Sequence, residues 1–219
     1  MNFLQTRWIG RLAYPPALEM QEKTAAARAK DEVPDQLFLL EHDPVYTIGR
    51  QRDRSSLGGT PLPHPVAEIS RGGQATFHGP GQLVGYFVFD LQKLIPDLHI
   101  FLRWVEEGLI ALVAGYGLHA QRREGLTGVW IGDRKIASIG VGVRKWITMH
   151  GFGLNVGTDL SGFASIIPCG ISGVTMTSLS RELGCEIPVE EVATKAEAIF
   201  TARYPLLSTA NPQPSTPQP

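Results

Sequence analysis

Five glycines, at positions 140, 142, 151, 153 and 157, interrupt an otherwise apolar and β-branched stretch of the chain, and no other feature limits its fold more. Glycine costs about 1 kcal/mol relative to alanine inside a helix, and inside a strand it marks a place where another backbone or a ligand comes close. The stretch is therefore expected to form two strands, 136–143 and 147–156, packed tightly against something. Glycine (24) and proline (16) are frequent across all 219 residues, so loops are long, yet 43% apolar residues suffice for one packed domain.

Ahead of these strands, residues 18–31 read as a helix entered through Pro15 and Pro16. Residues 35–41, 45–48 and 66–70 read as strands, and 51–65 as an irregular surface loop. Residues 82–90 form a nearly unbroken apolar run, expected to be a central strand buried on both faces. Asp97 caps a helix whose apolar residues recur from Leu98 to Val113, with Gly115 as its stop, and core packing alone explains it. Short strands at 118–122 and 127–131 precede a Gly132-Asp133 turn, which places Lys135 just beyond a hairpin. A loop (158–173), a short helix (178–183) closed by Gly184 and a final helix (188–203) follow. Residues 1–207 are expected to form one domain, and the proline-rich stretch 208–219, with nothing to bury, a disordered tail. Strands before, between and after helices indicate an α+β class (α/β in loose usage), a mixed β-sheet flanked by helices.

Several function classes are excluded at this level. A net charge of −1 gives no field to hold nucleic acid or an anionic bilayer. The longest uninterrupted apolar stretch, 109–114, is far short of the roughly 18 residues of a membrane span. The first twenty residues contain Arg7, Arg11 and Glu19 without an apolar core, so no secretory signal is expected and a cytoplasmic setting is. Neither a phosphate-cradling loop nor a dinucleotide fingerprint occurs, and scattered histidines offer no metal-ligand spacing. Cys169 and Cys185 are both read as free thiols.

Of these, Cys169 in Ile167-Pro168-Cys169-Gly170-Ile171 is the candidate nucleophile, because Gly170 lets the following N–H face an oxyanion beside the sulfur. Cys185, at a helix end, is read as structural. A thiol is mostly protonated at neutral pH and needs a cation or base nearby. Lys135 can supply one if its stem is buried, although a lysine after a turn is ordinarily solvated. His78 is a further candidate, against a bland reading as a hydrogen-bonded loop residue. Spacing alone does not bring the three together.

Five blocks in order carry a resemblance: Tyr46-Thr47-Ile48-Gly49-Arg50, the segment from Arg71 to Leu83 (Arg-Gly-Gly-Gln-Ala-Thr-Phe-His-Gly-Pro-Gly-Gln-Leu), Gly128-Val129-Trp130 with Lys135-Ile136-Ala137-Ser138-Ile139-Gly140, His150-Gly151-Phe152-Gly153-Leu154-Asn155, and Ile167-Pro168-Cys169-Gly170-Ile171. Together they resemble the lipoyl(octanoyl) transferases, also called lipoate-protein ligase B or octanoyl-acyl-carrier-protein:protein N-octanoyltransferases. The resemblance implies a fold similar to the catalytic domains of biotin and lipoate protein ligases. It implies Cys169 as acyl-thioester nucleophile and Lys135 as the group that lowers the thiol pKa and acts as acid and base. It also implies an acyl site lined by Arg71, Gly72, Gly73, Gln74, Ala75, Thr76, Phe77, His78, Ser138, Ile139, Gly140, Gly151, Phe152 and Gly153. Phe77 stands where many members have Tyr, which is expected to remove one hydroxyl from that site.

The implied reaction moves an octanoyl group from octanoyl-acyl carrier protein to a lysine of lipoyl domains in 2-oxoacid dehydrogenase acyltransferase subunits, or of glycine cleavage H protein, as the first step of endogenous protein lipoylation. The donor thioester is already activated, so neither ATP nor a metal is expected, and the substrate itself carries phosphopantetheine. Two half-reactions imply ping-pong kinetics. The rivals are an ATP-dependent lipoate ligase-like enzyme on the same fold and a carrier-binding module with an inert thiol. A monomer is expected, with a basic patch for the acidic carrier drawn from Arg50, Arg52, Arg54, Arg71, Arg144 and Lys145.

Overall fold

A computed structural model describes residues 3–49, 54–57, 61–170 and 173–209. Along them run β1 (Leu4–Leu12), α1 (Tyr14–Arg28), β2 (Asp35–His42), β3 (Val45–Ile48), β4 (Val66–Glu68), β5 (Thr76–His78), β6 (Gln82–Val88), α2 (Leu91–Leu94), α3 (Leu98–Ala114), β7 (Gln121–Arg123), β8 (Leu126–Ile131), β9 (Arg134–Arg144), β10 (Ile147–Asn155), β11 (Thr175–Met176), α4 (Leu179–Leu183) and α5 (Val189–Thr209). Short 3-10 turns occupy Arg54–Leu57, Leu160–Ser165 and Pro168–Gly170.

Among the described residues the main sheet has the order β1-β2-β6-β10-β9-β8-β7, with β11 beside β9, and a smaller sheet has the order β4-β3-β5. Parallel pairs (β1/β2, β3/β4, β9/β11) mix with antiparallel ones, so the class is α+β, a mixed sheet flanked by helices. Every residue of β6 is buried, because successive side chains point to opposite, covered faces. Leu37, Leu39, Phe87 and Phe89 meet Phe101 and Trp104 of α3 and Phe200 of α5, whereas Phe38, Leu40, Val84, Tyr86 and Val88 form a cluster with Ala17 of α1. Rings dominate the first layer: Phe87 lies 5.7 Å from Phe101 and 5.2 Å from Phe200, edge to face.

The differences from the sequence expectations have identifiable causes. Strand β1 was not expected: polar Gln5, Thr6, Arg7 and Arg11 break any apolar alternation, and the strand exists by pairing with β2 at the sheet edge, across a register shift between Trp8 and Gly10. Helix α1 begins at Tyr14 rather than residue 18, since Pro15 and Pro16 fill its first turn, where a missing N–H costs nothing. Helix α5 continues past residue 203 through Pro205 to Thr209, because Tyr204 and Leu207 are buried and hold its last turns. The helix thus crosses the expected boundary between domain and tail at 207/208, and residues 210–219 lie outside the described ones.

Candidate active site

Strand β9 emerges from the Gly132-Asp133 turn with Lys135 as its second residue. The lysine is only 1% exposed, so the ordinary picture of a solvated turn lysine does not apply. Its Nζ donates to the Thr127 carbonyl at 3.1 Å and lies 5.3 Å from the centre of the Trp130 ring. Gly128 makes room for it. At φ +132° only glycine is at ease, and a β-carbon there would stand 2.7 Å from Lys135 Cε and 2.6 Å from the Ala137 carbonyl oxygen.

Strand β10 leaves β9 after the Leu154–Ala137 pair, and β11 takes over the same side of β9, with Met176 opposite Lys135. Thr177 N then donates to the Lys135 carbonyl at 3.0 Å. The connection between β10 and β11 carries the Pro168–Gly170 turn, and so Cys169. The Cys169 side chain lies outside the described residues, but its turn is anchored at Ile167 and closed on itself at Gly170. Ile167 N donates to Ser56 O at 2.8 Å and Gly170 N to Ile167 O at 2.9 Å. At φ +69°, the Gly170 backbone rests against the Gln74 side chain, where a β-carbon would collide. Cys185 is exposed, after the left-handed Gly184 cap.

A cavity of about 360 Å³ has Lys135 in its wall, and it is bordered by Arg71, Gly72, Gly73, Gln74, Thr76, His78, Ser138, Ile139, Gly140, Gly151, Phe152 and Gly153. Ala75 and Phe77, expected among them, are not. Strand β5 alternates, so Thr76 and His78 turn to the cavity while Ala75 and Phe77 enter the smaller apolar cluster with Tyr46 and Phe163. The hydroxyl that Phe77 lacks is therefore not missing from this cavity. The strand glycines serve the protein's own packing as much as any ligand: β-carbons at Gly140 and Gly153 would stand 2.8 Å from Arg71 Cδ and 2.9 Å from Gln82 Oε1.

The polar side of the cavity is fixed by hydrogen bonds. Gln82 Nε2 donates to Phe77 O and Asn155 Oδ1, so its Oε1 accepts from His78 Nδ1 at 2.6 Å. Asn155 Nδ2 donates in turn to Thr177 O at 2.9 Å, which ties His78 to the residue hydrogen-bonded to Lys135. This assigns the His78 proton to Nδ1 and leaves Nε2 as an acceptor, 3.5 Å from Thr47 Oγ1. Burial, and then the charges of nearby groups including Arg71, push the His78 pKa down to about 3. Arg71 itself is buried, donating to Thr47 O and Oγ1 at 3.0 and 2.9 Å.

Sequence reasoning missed three groups in the wall: Tyr14, Tyr86 and His150. Tyr86 OH donates to His42 Nε2 at 2.6 Å, while the Tyr14 hydroxyl and both ring nitrogens of His150 are buried with no hydrogen-bond partner among the described residues. His150 holds a left-handed backbone at φ +63°, and burial together with Arg71 lowers its pKa to about 4. A histidine opening a glycine-rich strand block was the available signal for it. Leu98 and Leu102 also face the cavity, so α3 does more than pack the core. The arrangement offers a lysine at one station, neutral histidines at others and an apolar wall, which suits an uncharged chain with one reactive polar end.

Among the described residues, the members expected of the basic patch, Arg71, Arg144 and Lys145, do not come together at the cavity. Arg71 lines the cavity, and Arg144 ends the strand that has Lys135 as its second residue, about 30 Å of extended chain away. Lys145 follows Arg144 in the turn, and Arg50, Arg52 and the Arg54 side chain lie outside the described residues. Among the described residues no group of three or more His, Cys, Asp or Glu could hold a metal ion, and no helix is long and apolar enough to cross a membrane.

Residues 13–201 match the model of the lipoyl protein ligase A/B catalytic domain. The chain is 47% identical over 215 residues to an octanoyltransferase of Geobacter metallireducens, covering 96% of this chain and 100% of that one. It is 50% identical over 190 residues to an octanoyltransferase of Rubrobacter xylanophilus, covering 84% and 85%. Among solved structures, a bipartite lipoate protein ligase of Thermoplasma acidophilum superposes with a TM-score of 0.71 at 18% identity, over 91% of this chain and 83% of that one. A biotin protein ligase of Aquifex aeolicus gives 0.58 at 12% identity, over 95% and 72%. At such identities these two share the fold alone.

Proposed function

The chain belongs to the lipoyl protein ligase A/B catalytic-domain family and is an acyltransferase that moves an octanoyl group; from that premise we propose that Cys169 carries the group and Lys135 handles the protons. The observation that carries this reading is the placement of Lys135: buried, in the wall of a cavity sized for a short chain, on a strand paired with the segment that follows Cys169.

The donor is octanoyl-acyl carrier protein. The Cys169 thiolate attacks the thioester carbonyl, and the phosphopantetheine sulfur leaves with a proton from the Lys135 ammonium. The acceptor is a lysine of a lipoyl domain or of glycine cleavage H protein. Its ε-amine attacks the acyl-cysteine, an amide forms, the Cys169 thiolate is released, and neutral Lys135 takes the amine proton. Each half-reaction restores what the other consumed, so no further co-reactant is needed. The octanoyl chain lies in the cavity between Leu98, Leu102 and Phe152 and the glycine-rich strands, its methylenes contributing about 0.8 kcal/mol each before ordering costs.

Intact mass spectrometry after mixing with octanoyl-acyl carrier protein, without ATP, tests the reading. One octanoyl mass on wild type and Cys185→Ser, absent from Cys169→Ser and discharged by apo lipoyl domain, is the expected result. Acceptor acylation that requires ATP and free acid, with no adduct, overturns it in favour of a ligase mechanism.

A further inference from the structure

Glu106, in the middle of α3, is completely buried. Its Oε2 pairs with Arg103 Nη1 at 2.6 Å, with Arg122 Nε 3.9 Å away. Its Oε1 accepts from Gly128 N at 3.0 Å. That N–H belongs to the peptide group whose carbonyl oxygen, Thr127 O, accepts from Lys135 Nζ at 3.1 Å. One peptide unit therefore sits between a buried carboxylate and the buried ammonium. A carboxylate on an amide N–H draws the peptide's electrons toward its carbonyl oxygen and strengthens that oxygen as an acceptor.

We propose that Glu106 is a positioning residue for Lys135, holding and polarising the Thr127–Gly128 peptide so that its carbonyl fixes the ammonium at the cavity wall. Core packing on α3 calls only for an apolar side chain here, and a buried carboxylate is costly unless its lone pairs are used. Both oxygens have partners, Oε2 toward Arg103 and Arg122 and Oε1 toward the peptide that holds Lys135. Gly128 completes the device, since any side chain there would strike Lys135. Helix α3 thereby lines the cavity with Leu98 and Leu102 and sets Lys135 from the same side.

The inference rests on the role proposed for Lys135, and the test separates the two. In the full chain with 13Cε-labelled lysine, the Lys135 resonance, assigned by its absence from Lys135→Arg, is titrated with pH beside the rate of Cys169 acylation. Glu106→Gln, nearly isosteric, keeps an acceptor but removes the charge. It is expected to lower the Lys135 midpoint by about half a pH unit and to slow acylation about tenfold. Arg103→Gln, at a half-exposed site, leaves the Glu106 charge less compensated and is expected to move the midpoint the other way, which keeps the test open if Glu106→Gln does not fold. Midpoints that stay at the wild-type value in both variants, even with a lower melting temperature, overturn the proposal. Shifted midpoints with unchanged acylation support the link between Glu106 and Lys135 and overturn the role of Lys135 instead.

Discussion

The backbone of Gly170 lies against the side chain of Gln74, closely enough that a β-carbon on Gly170 would collide with the carboxamide. The contact joins the turn that carries Cys169 to a residue of the cavity wall. Gly170→Ala meets two obstacles, the collision and a left-handed φ of +69°, so the Gln74 carboxamide must move away and the strained backbone pulls on the turn. The expected outcome is a loss of Cys169 acylation of about ten- to a hundredfold, with a stability loss of only about 1 kcal/mol because the turn is at the surface. Rapid-quench mass spectrometry gives the first quantity and urea unfolding the second. An acylation rate equal to wild type would mean that the contact does not position the nucleophile.

If Lys135 serves both half-reactions, removing it must slow both. Lys135→Met keeps the length of the buried stem and deletes the ammonium, leaving Thr127 O without that donor. The rate of adduct formation from the carrier thioester, and the rate of transfer from enzyme acylated beforehand by a small activated thioester, are each expected to fall about 10²- to 10⁴-fold. Loss of the first alone would confine Lys135 to activating the thiol and would remove the general-base step from the mechanism.

His78 and His150 couple stability to acidity in a predictable direction. Their folded pKa values, about 3 and about 4, lie below the unperturbed 6.5, so on acidification the unfolded chain takes up protons first. Stability contributed by keeping both rings neutral is complete above about pH 7 and drains as pH falls from 6.5 toward 4 for His150 and toward 3 for His78. Near pH 5 unfolding should take up about two protons from this pair, a slope of about 2.7 kcal/mol per pH unit. His150→Asn tolerates the left-handed backbone and should reduce the slope by about one proton. Urea titrations at pH 5, 6 and 7 measure it, and an unchanged slope would show that His150 is not held neutral by the fold.

The strands at 82–88, 134–144 and 147–155 were legible because burial on both faces and interleaved glycines leave a mark in sequence that does not depend on partners. Strand β1 was not, since Arg7 and Arg11 mask it and only the ladder to β2 makes it a strand. The cavity wall divides the same way. Residues clustered in the glycine-rich blocks could be named together, whereas Tyr14 and Tyr86 come from α1 and β6 and meet that wall only through the tertiary fold, and His150, though it opens one of those blocks, is set apart by its left-handed backbone. Ala75 and Phe77 stand inside a block whose other members border the cavity and still face elsewhere, because a block does not reveal the phase of a two-residue alternation until its strand is known.

The end of α5 is pinned by a buried cluster whose energetics can be dissected. Asp35 Oδ1 accepts from Arg28 Nε at 2.6 Å and from Asp90 N at 3.0 Å, and its Oδ2 accepts from Tyr204 OH at 2.6 Å. Arg28 also pairs with Asp31 at 2.5 Å, and with Asp90 at 3.8 Å. Arg28→Met strands the Asp35 charge, with 1% of its side chain exposed, and is expected to cost about 3–5 kcal/mol. Tyr204→Phe removes one charge-assisted hydrogen bond and is expected to cost about 1.5–3 kcal/mol. The two act on the same carboxylate, so their sum should differ from the double variant by more than the roughly 0.5 kcal/mol seen for independent sites. Replacing Arg28 and Asp35 together by Met and Leu should recover much of the Arg28→Met loss, because no buried charge then remains unpaired. Urea unfolding of these variants at pH 7 supplies every term. Strict additivity between Arg28→Met and Tyr204→Phe would show that the helix end is held by Leu207 and the apolar layer rather than by Asp35.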